Sequence, residues 1–187
     1  MRVIAGSAKG VRLAAVPPGV RPMSDMAREG LFASLGAAIE QMRCLDLYAG
    51  TGAVGIEALS RGAAEAVFVE RNRRAVETIE DNLGRTHLES DASVVRLDVE
   101  KFLRTHLAAQ GTFDMVLLDP PYDLHGSDLD GVLVALDTGW LASEGWTLML
   151  TRGHRSVPPA VPVHWAVRRR LRYGDSLLTL YREERWA

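Results

Sequence analysis

The chain is poor in several things that would otherwise direct its chemistry. Its 187 residues include one cysteine, which excludes an internal disulfide and a thiolate metal cluster. Cys44 sits in an apolar run with Leu45 and Leu47 and reads as core packing, in keeping with a reducing compartment. The five histidines, His87, His106, His125, His154 and His164, fall at no ligand spacing, and no nucleophile elbow is present. No stretch approaches the roughly eighteen consecutive apolar residues of a membrane span. Arg2, Lys9 and Arg12 are followed by no signal-peptide apolar core. The expectation is a cytoplasmic protein that uses neither a membrane nor a metal. Repeats, low-complexity tracts and long exposed apolar stripes are also missing, so a monomer is expected.

What is present is enough for one domain with a real core, 47% of the chain being hydrophobic. The net charge of -2 conceals a segregation: residues 1–43 sum to +3, residues 44–151 to -10 and residues 152–187 to +5. Basic ends around an acidic middle read equally well as a polyanion-binding surface flanking an acidic body and as solvated loops and strand faces.

From residue 44 short apolar runs alternate with helical patterns, the signature of βαβ units and a parallel sheet. Cys44–Tyr48, Ala66–Glu70, Val94–Asp98, Met115–Asp119 and Trp146–Leu150 read as strands. Ala53–Ser60, Arg73–Leu83, Val99–Ala109 and Leu129–Leu136 carry apolar residues at helical spacing. Ahead of this body, Arg2–Ile4 and Val11–Val16 around Gly6–Gly10 predict a two-stranded hairpin. A helix follows, capped by Ser24 or Asp25, with Leu31, Phe32, Leu35 and Ile39 as a packing stripe. Val163–Leu171 and Leu177–Arg182 flank Tyr173-Gly174-Asp175 and predict an antiparallel edge hairpin. The fold class is therefore α/β, a doubly wound, mostly parallel Rossmann-like sheet. Residues 1–43 form a small N-terminal hairpin and helix extension, and residues 44–187 the main domain.

The first strand runs into Gly50-Thr51-Gly52-Ala53-Val54-Gly55, a G-x-G-x-x-G turn that opens a helix. Such a turn lets backbone approach a ligand closely. Glu70, twenty residues after Gly50, ends the next strand where a carboxylate can accept hydrogen bonds from ribose hydroxyls. Dinucleotide and S-adenosylmethionine folds share this pattern, and a turn that merely packs strand on helix shows it too. Asp46 favours S-adenosylmethionine: four residues before Gly50, its carboxylate suits the cationic amino end of a methionine moiety and would repel a pyrophosphate. No Y-x-x-x-K pair is present, and Ile56-Glu57 after Gly55 excludes a P-loop. Asp98 and Val99 read as an adenine pair, the carboxylate accepting from the exocyclic amine beside an apolar contact; a helix N-cap at Asp98 is equally natural and compatible.

Asp119-Pro120-Pro121-Tyr122 follows the apolar strand Met115–Leu118 directly. Proline fixes the backbone and leaves Pro120 a carbonyl without an N–H. An amino group conjugated to a base is a poor nucleophile, because its lone pair is delocalised into the ring. With its hydrogens held by the Asp119 carboxylate and the Pro120 carbonyl, the nitrogen presents its lone pair to an electrophilic methyl group. Tyr122 is expected to stack on the base.

Together these residues resemble the RsmD family, bacterial methyltransferases that modify the N2 amine of one guanine in small-subunit (16S) ribosomal RNA. The resemblance runs through Arg2-Val3-Ile4-Ala5-Gly6, Lys9-Gly10 and Leu13, Arg21-Pro22, Asp25, Arg28-Glu29 and Leu31-Phe32. It continues through Leu45 to Gly52, Glu57 to Ala63, Phe68-Val69-Glu70, Asp119 to Tyr122 and Tyr173-Gly174-Asp175. It implies a class I methyltransferase fold, S-adenosylmethionine held by Asp46, Tyr48, Ala49, Gly50, Thr51, Gly52, Glu70, Asp98 and Val99, and amine methylation at Asp119, Pro120, Pro121 and Tyr122. It also implies that Arg2, Lys9, Arg12, Arg21 and Arg28 contact ribosomal RNA, free or in the small subunit. The chain departs from the family's pattern at Met23, Met26, Ala27 and Gly30, and carries Thr151 where a glutamate is usual. Alternatives at this point are an amino-methyltransferase for DNA or a protein amide, an inactive RNA-binding or assembly protein of the same fold, and a nucleotide-dependent oxidoreductase.

Overall fold

A computed structural model describes residues 1–19, 22–106, 112–121 and 124–184. Its centre is a seven-stranded sheet of order β3-β2-β1-β4-β5-β7-β6. The strands are β1 (Arg43–Leu47), β2 (Glu65–Val69), β3 (Ala92–Val95), β4 (Met115–Leu118), β5 (Thr147–Gly153), β6 (Trp165–Tyr173) and β7 (Ser176–Glu183). The first five pair in parallel; β7 pairs antiparallel with both β5 and β6. The final hairpin is as expected, but its second strand inserts beside β5 and leaves β6 on the edge.

Alternation along each strand feeds two cores. Cys44, Met115, Leu117 and Met149 face one side, under α1 (Asp25–Leu35), α2 (Ala53–Ser60) and α3 (Arg73–Thr86). Leu45, Leu47, Val116 and Leu118 face the other, under α4 (Val99–Thr105) and α5 (Gly126–Asp137). Burial on both faces explains why the central strands read as unbroken apolar runs. Cys44 is fully buried, and that burial pushes its thiol up, so packing is its role.

Boundaries moved where local chemistry competed with the pattern. The third strand ends at Val95 rather than Asp98, because the Asp98 side chain caps α4, its Oδ1 accepting from the Glu100 N–H at 3.0 Å. The predicted N-terminal hairpin is reduced to one antiparallel bridge, Arg2 to Arg12, with Val3 N–H donating to the Val11 carbonyl at 3.0 Å. Ser24 caps α1 through the Ala27 N–H, and the helix stops at Leu35, Ile39 reaching the core from a following 3-10 turn. Part of the expected helix Val99–Ala109 lies outside the described residues. Residues 1–43 pack into the same core as the main body, through Val3, Leu13, Leu31 and Phe32.

A buried ionic cluster joins this segment to α2. Glu57, with no exposed side-chain surface, accepts from the N–H groups of Ile4 at 2.8 Å and Ala5 at 3.0 Å and from Arg61 Nε at 2.7 Å; Arg28 Nε lies 3.6 Å away. Arg28 is fully buried, donates to the Arg2 carbonyl and to Asp25, and desolvation lowers its pKa against the opposing pull of Glu57. The expectation that Arg28 contacts RNA is therefore corrected: its guanidinium is turned into the protein interior, where Nε and Nη1 have no hydrogen-bond partner among the described residues. Among the described residues no helix is long and apolar enough to cross a membrane.

Candidate functional site

The carboxyl ends of β1, β2 and β4 open into a cleft of about 550 Å³. Because side chains alternate, Glu70, Asp119 and Thr151 follow Val69, Leu118 and Leu150 of the α4/α5 core and emerge on the α1/α2 side. All three line the cleft, with Tyr48, Gly50, Asp98, Val99, Pro120 and Pro121. Thus eight of the expected site residues gather in one place: Tyr48, Gly50, Glu70, Asp98, Val99, Asp119, Pro120 and Pro121. Tyr122 and Arg21 lie outside the described residues.

The glycine turn is built from below. Asp46 does not line the cleft; its carboxylate is buried under the turn and accepts the Gly55 N–H at 3.0 Å. A side chain at Gly55 would place its Cβ 2.4 Å from the Phe68 ring, so this glycine serves close packing of α2 on β2. Gly52 caps α2 in the left-handed conformation, φ 72°. Ala49 and Thr51 hold the turn rather than the cleft wall: the Ala49 N–H donates to the Val69 carbonyl, and the Thr51 carbonyl accepts from Asn82 Nδ2 at 2.9 Å. Tyr48 is a non-glycine residue at φ 59°, a strained conformation of the kind concentrated at functional sites. Burial, and then Asp98, push its phenol up.

Glu70 is fixed by the backbone it faces. Oε2 accepts the Gly50 N–H at 2.9 Å and Oε1 the Asn72 N–H at 2.8 Å, leaving each oxygen a further acceptor position. Asp98 is held as a cap, with Arg71 3.9 Å from its free oxygen. Burial raises Asp46 well above the usual carboxylate range, and the negative charges of Asp119 and Glu70 add to that rise, although the Gly55 hydrogen bond opposes it. The two cleft carboxylates, Glu70 and Asp119, concentrate negative potential at one corner of the cleft, a field suited to a cation, and that same potential favours the protonated form of Asp46 beneath them.

Sequence reasoning gave no role to the opposite wall. It consists of Met23, Ser24 and Ala27 at the start of α1, Thr151 at the end of β5, and the turn Tyr173-Gly174-Asp175 between β6 and β7. The turn was visible as a motif, but nothing local indicates that it lines the same cleft as the end of β4. Arg2 and Lys9 border a separate hollow beside Asp25 and Glu29; Arg12 is exposed outside both. Among the described residues no group of histidine, cysteine and carboxylate side chains could hold a metal.

A seven-stranded sheet of this order, with a carboxylate-lined cleft at the ends of its parallel strands, is the class I methyltransferase fold. The fold extends to the ribosomal protein L11 methylase of Lactobacillus delbrueckii subsp. bulgaricus, with a TM-score of 0.65 at 13% identity, over 91% of this chain and 84% of that one. The solved Escherichia coli protein yhhF is far closer, TM-score 0.85 at 34% identity, over 100% of this chain and 99% of that one. The family model described as Conserved hypothetical protein 95 matches residues 1–182. Ribosomal RNA small subunit methyltransferase D of Escherichia coli strain K12 is 36% identical over 187 residues, 98% of this chain and 90% of that protein. The Haemophilus influenzae protein of the same name is 30% identical over 183 residues, 97% of this chain and 93% of that one. The chain belongs to this family, the RsmD family.

Proposed function

We propose that this chain transfers the methyl group of S-adenosylmethionine to the N2 amine of a guanine in small-subunit ribosomal RNA. The observation that carries the reading is the position of Asp119-Pro120-Pro121 at the end of β4, in one cleft with Gly50 and the backbone-held Glu70.

The cleft fits the cofactor's chemistry. A sulfonium and an ammonium match the negative corner made by Glu70 and Asp119, with Asp46 buried beneath it as a further acceptor that can ionise when a cation binds. The spare acceptor positions of Glu70 match ribose hydroxyls, and Val99 and Leu97 with Asp98 match an adenine ring and its amine. When bound, the cofactor supplies an electrophilic methyl group with a neutral thioether as leaving group. The rest is the work of this chain. Asp119 and the Pro120 carbonyl hold the two hydrogens of the target amine and orient its lone pair, and the fixed Pro120–Pro121 backbone keeps that frame from relaxing. Asp119 also stabilises the positive charge that grows on the nitrogen as the bond forms, and the methylated amine then gives up one of its two hydrogens as a proton, to the Asp119 carboxylate or to water. Tyr122 is proposed to stack on the flipped base, and the exposed Arg2, Lys9 and Arg12, with Arg21, to contact RNA as part of the 1–43 extension. The protein is proposed to act in the cytoplasm as a monomer.

The test is transfer of labelled methyl from S-adenosylmethionine to small ribosomal subunits, and to RNA, from cells lacking this gene, followed by nucleoside analysis. N2-methylguanosine is the expected product. Cofactor binding without incorporation into RNA would overturn the substrate and redirect the search to DNA or protein amides.

A further inference from the structure

The edge strand β6 carries Arg168, Arg169, Arg170 and Arg172, four arginines in five positions, all exposed. Four other arginines, Arg43, Arg61, Arg73 and Arg85, each meet a carboxylate within 3.0 Å, and the remaining exposed ones without such a partner, Arg74 and Arg104 among them, are dispersed rather than in a row. Among the described residues none of the four on β6 has such a partner; Arg172 Nε donates to the Gly174 carbonyl at 3.2 Å. A register shift between Val167 and Arg169 interrupts the regular alternation at Arg168, and Arg169 and Arg170, as successive strand residues, project to opposite sides of the strand. The first and last lie roughly 14 Å apart at the usual rise per residue. Guarding an exposed edge against aggregation needs only a charge or two; this strand carries an uncompensated row.

The row also has a direction. β6 ends at Tyr173, and the turn it enters, Tyr173-Gly174-Asp175, lines the same cleft as Asp119. The arginines therefore form a line that terminates at the site. Arginine suits phosphate through its forked donors, and a row of exposed cations on a regular rise suits a polyanion whose charges repeat.

We propose that β6 is a phosphate-binding track that carries the RNA backbone along Arg168–Arg172 to the mouth of the cleft. The inference rests on the RNA-methylating reading and extends it to the surface that holds the substrate. The contacts position the RNA without reading its sequence, so the track sets affinity while the cleft sets the chemistry.

The experiment uses the full chain and a small-subunit ribosomal RNA transcript as probe. A triple variant, Arg168→Gln, Arg169→Gln and Arg170→Gln, is compared with the wild type and with Arg85→Gln plus Arg104→Gln, which removes charge elsewhere. The track predicts roughly tenfold or greater loss of RNA affinity in the triple variant, and a salt slope shallower by about 0.7 to 0.9 per arginine removed. S-adenosylmethionine affinity and thermal melting should stay unchanged, and the control pair should bind RNA as the wild type does. Lysine at the same three positions should restore most of the affinity. An unchanged affinity and slope in the glutamine variant would overturn the track; so would normal RNA binding with lost binding to assembled subunits, which would make β6 a protein-docking strand. If the triple variant does not fold, Arg169→Glu alone gives the same comparison. Wild-type methyl transfer is measured alongside: its absence, with charge-dependent RNA binding intact, sinks the proposed reaction and leaves the track standing.

Discussion

The carboxyl edge of β1, β2 and β4 and the outer strand β6 carry opposite charges and hold them in opposite ways. At the cleft the acids are locked: Glu70 by two backbone N–H groups and Asp98 by the start of α4, while Asp46 is held by the Gly55 N–H beneath the glycine turn. On β6 four arginines stand exposed without a carboxylate partner. Locked charge acts at a fixed point, which a reacting atom requires. Loose charge follows a flexible backbone of repeating phosphates and tolerates any sequence. One sheet thus carries acids at its parallel ends and bases on its antiparallel edge, the separation of chemistry from grip that the proposed reaction and track require.

The sharpest break comes at Asp119. Asp119→Ala is expected to lower methyl transfer by about 100-fold or more while changing cofactor affinity little, as loss of a transition-state contact does. Single-turnover transfer beside calorimetric cofactor binding checks this, and equal loss of both would make Asp119 structural. The glutamine variant of β6 should show the reverse, weak RNA binding with normal turnover at saturating RNA.

Glu57 tests the frame that holds the two regions together. Glu57→Ala leaves Arg28 without its buried counter-charge, with only the half-exposed Asp25 still paired to it, and frees the N–H groups of Ile4 and Ala5. The expected cost is about 3–5 kcal/mol by urea unfolding. Adding Arg28→Met should recover part of it, because the buried charge then disappears. A loss below about 1 kcal/mol for the single change would show the cluster to be well hydrated.

The smallest effect concerns Asp46, whose pKa lies well above the usual carboxylate range in the folded protein. The native state then holds its proton more tightly than the unfolded chain does. Asp46 therefore favours folding at low pH, and that advantage fades as pH rises through the raised value. Asp46→Asn keeps an oxygen for the Gly55 N–H but cannot ionise. It should flatten the fall in melting temperature toward alkaline pH in the ligand-free protein and weaken cofactor binding. An unaltered pH profile would remove Asp46 from the charge balance of the cleft.

Much of this was legible in the residue order. The α/β class, the central parallel strands and the helix Ala53–Ser60 follow from runs and periods that are local by nature. Asp119-Pro120-Pro121 was legible because proline restricts its own backbone wherever it stands. The helix cap at Asp98 was legible too; the limits show at β3, which runs Ala92–Val95 instead of reaching Asp98, and at Arg28, which looks like any basic residue on a helix until Glu57 is found beside it.

The sequence by itself determined the order of elements, the acidic strand ends and the glycine turn, because each depends on neighbours within a few residues. Only the tertiary structure decided that β7 slips between β5 and β6, that Tyr173-Gly174-Asp175 closes the cleft, and that the arginines of β6 lie on an open edge leading to it. Those outcomes depend on which distant surfaces bury each other, and burial between segments far apart in sequence leaves no local mark on either.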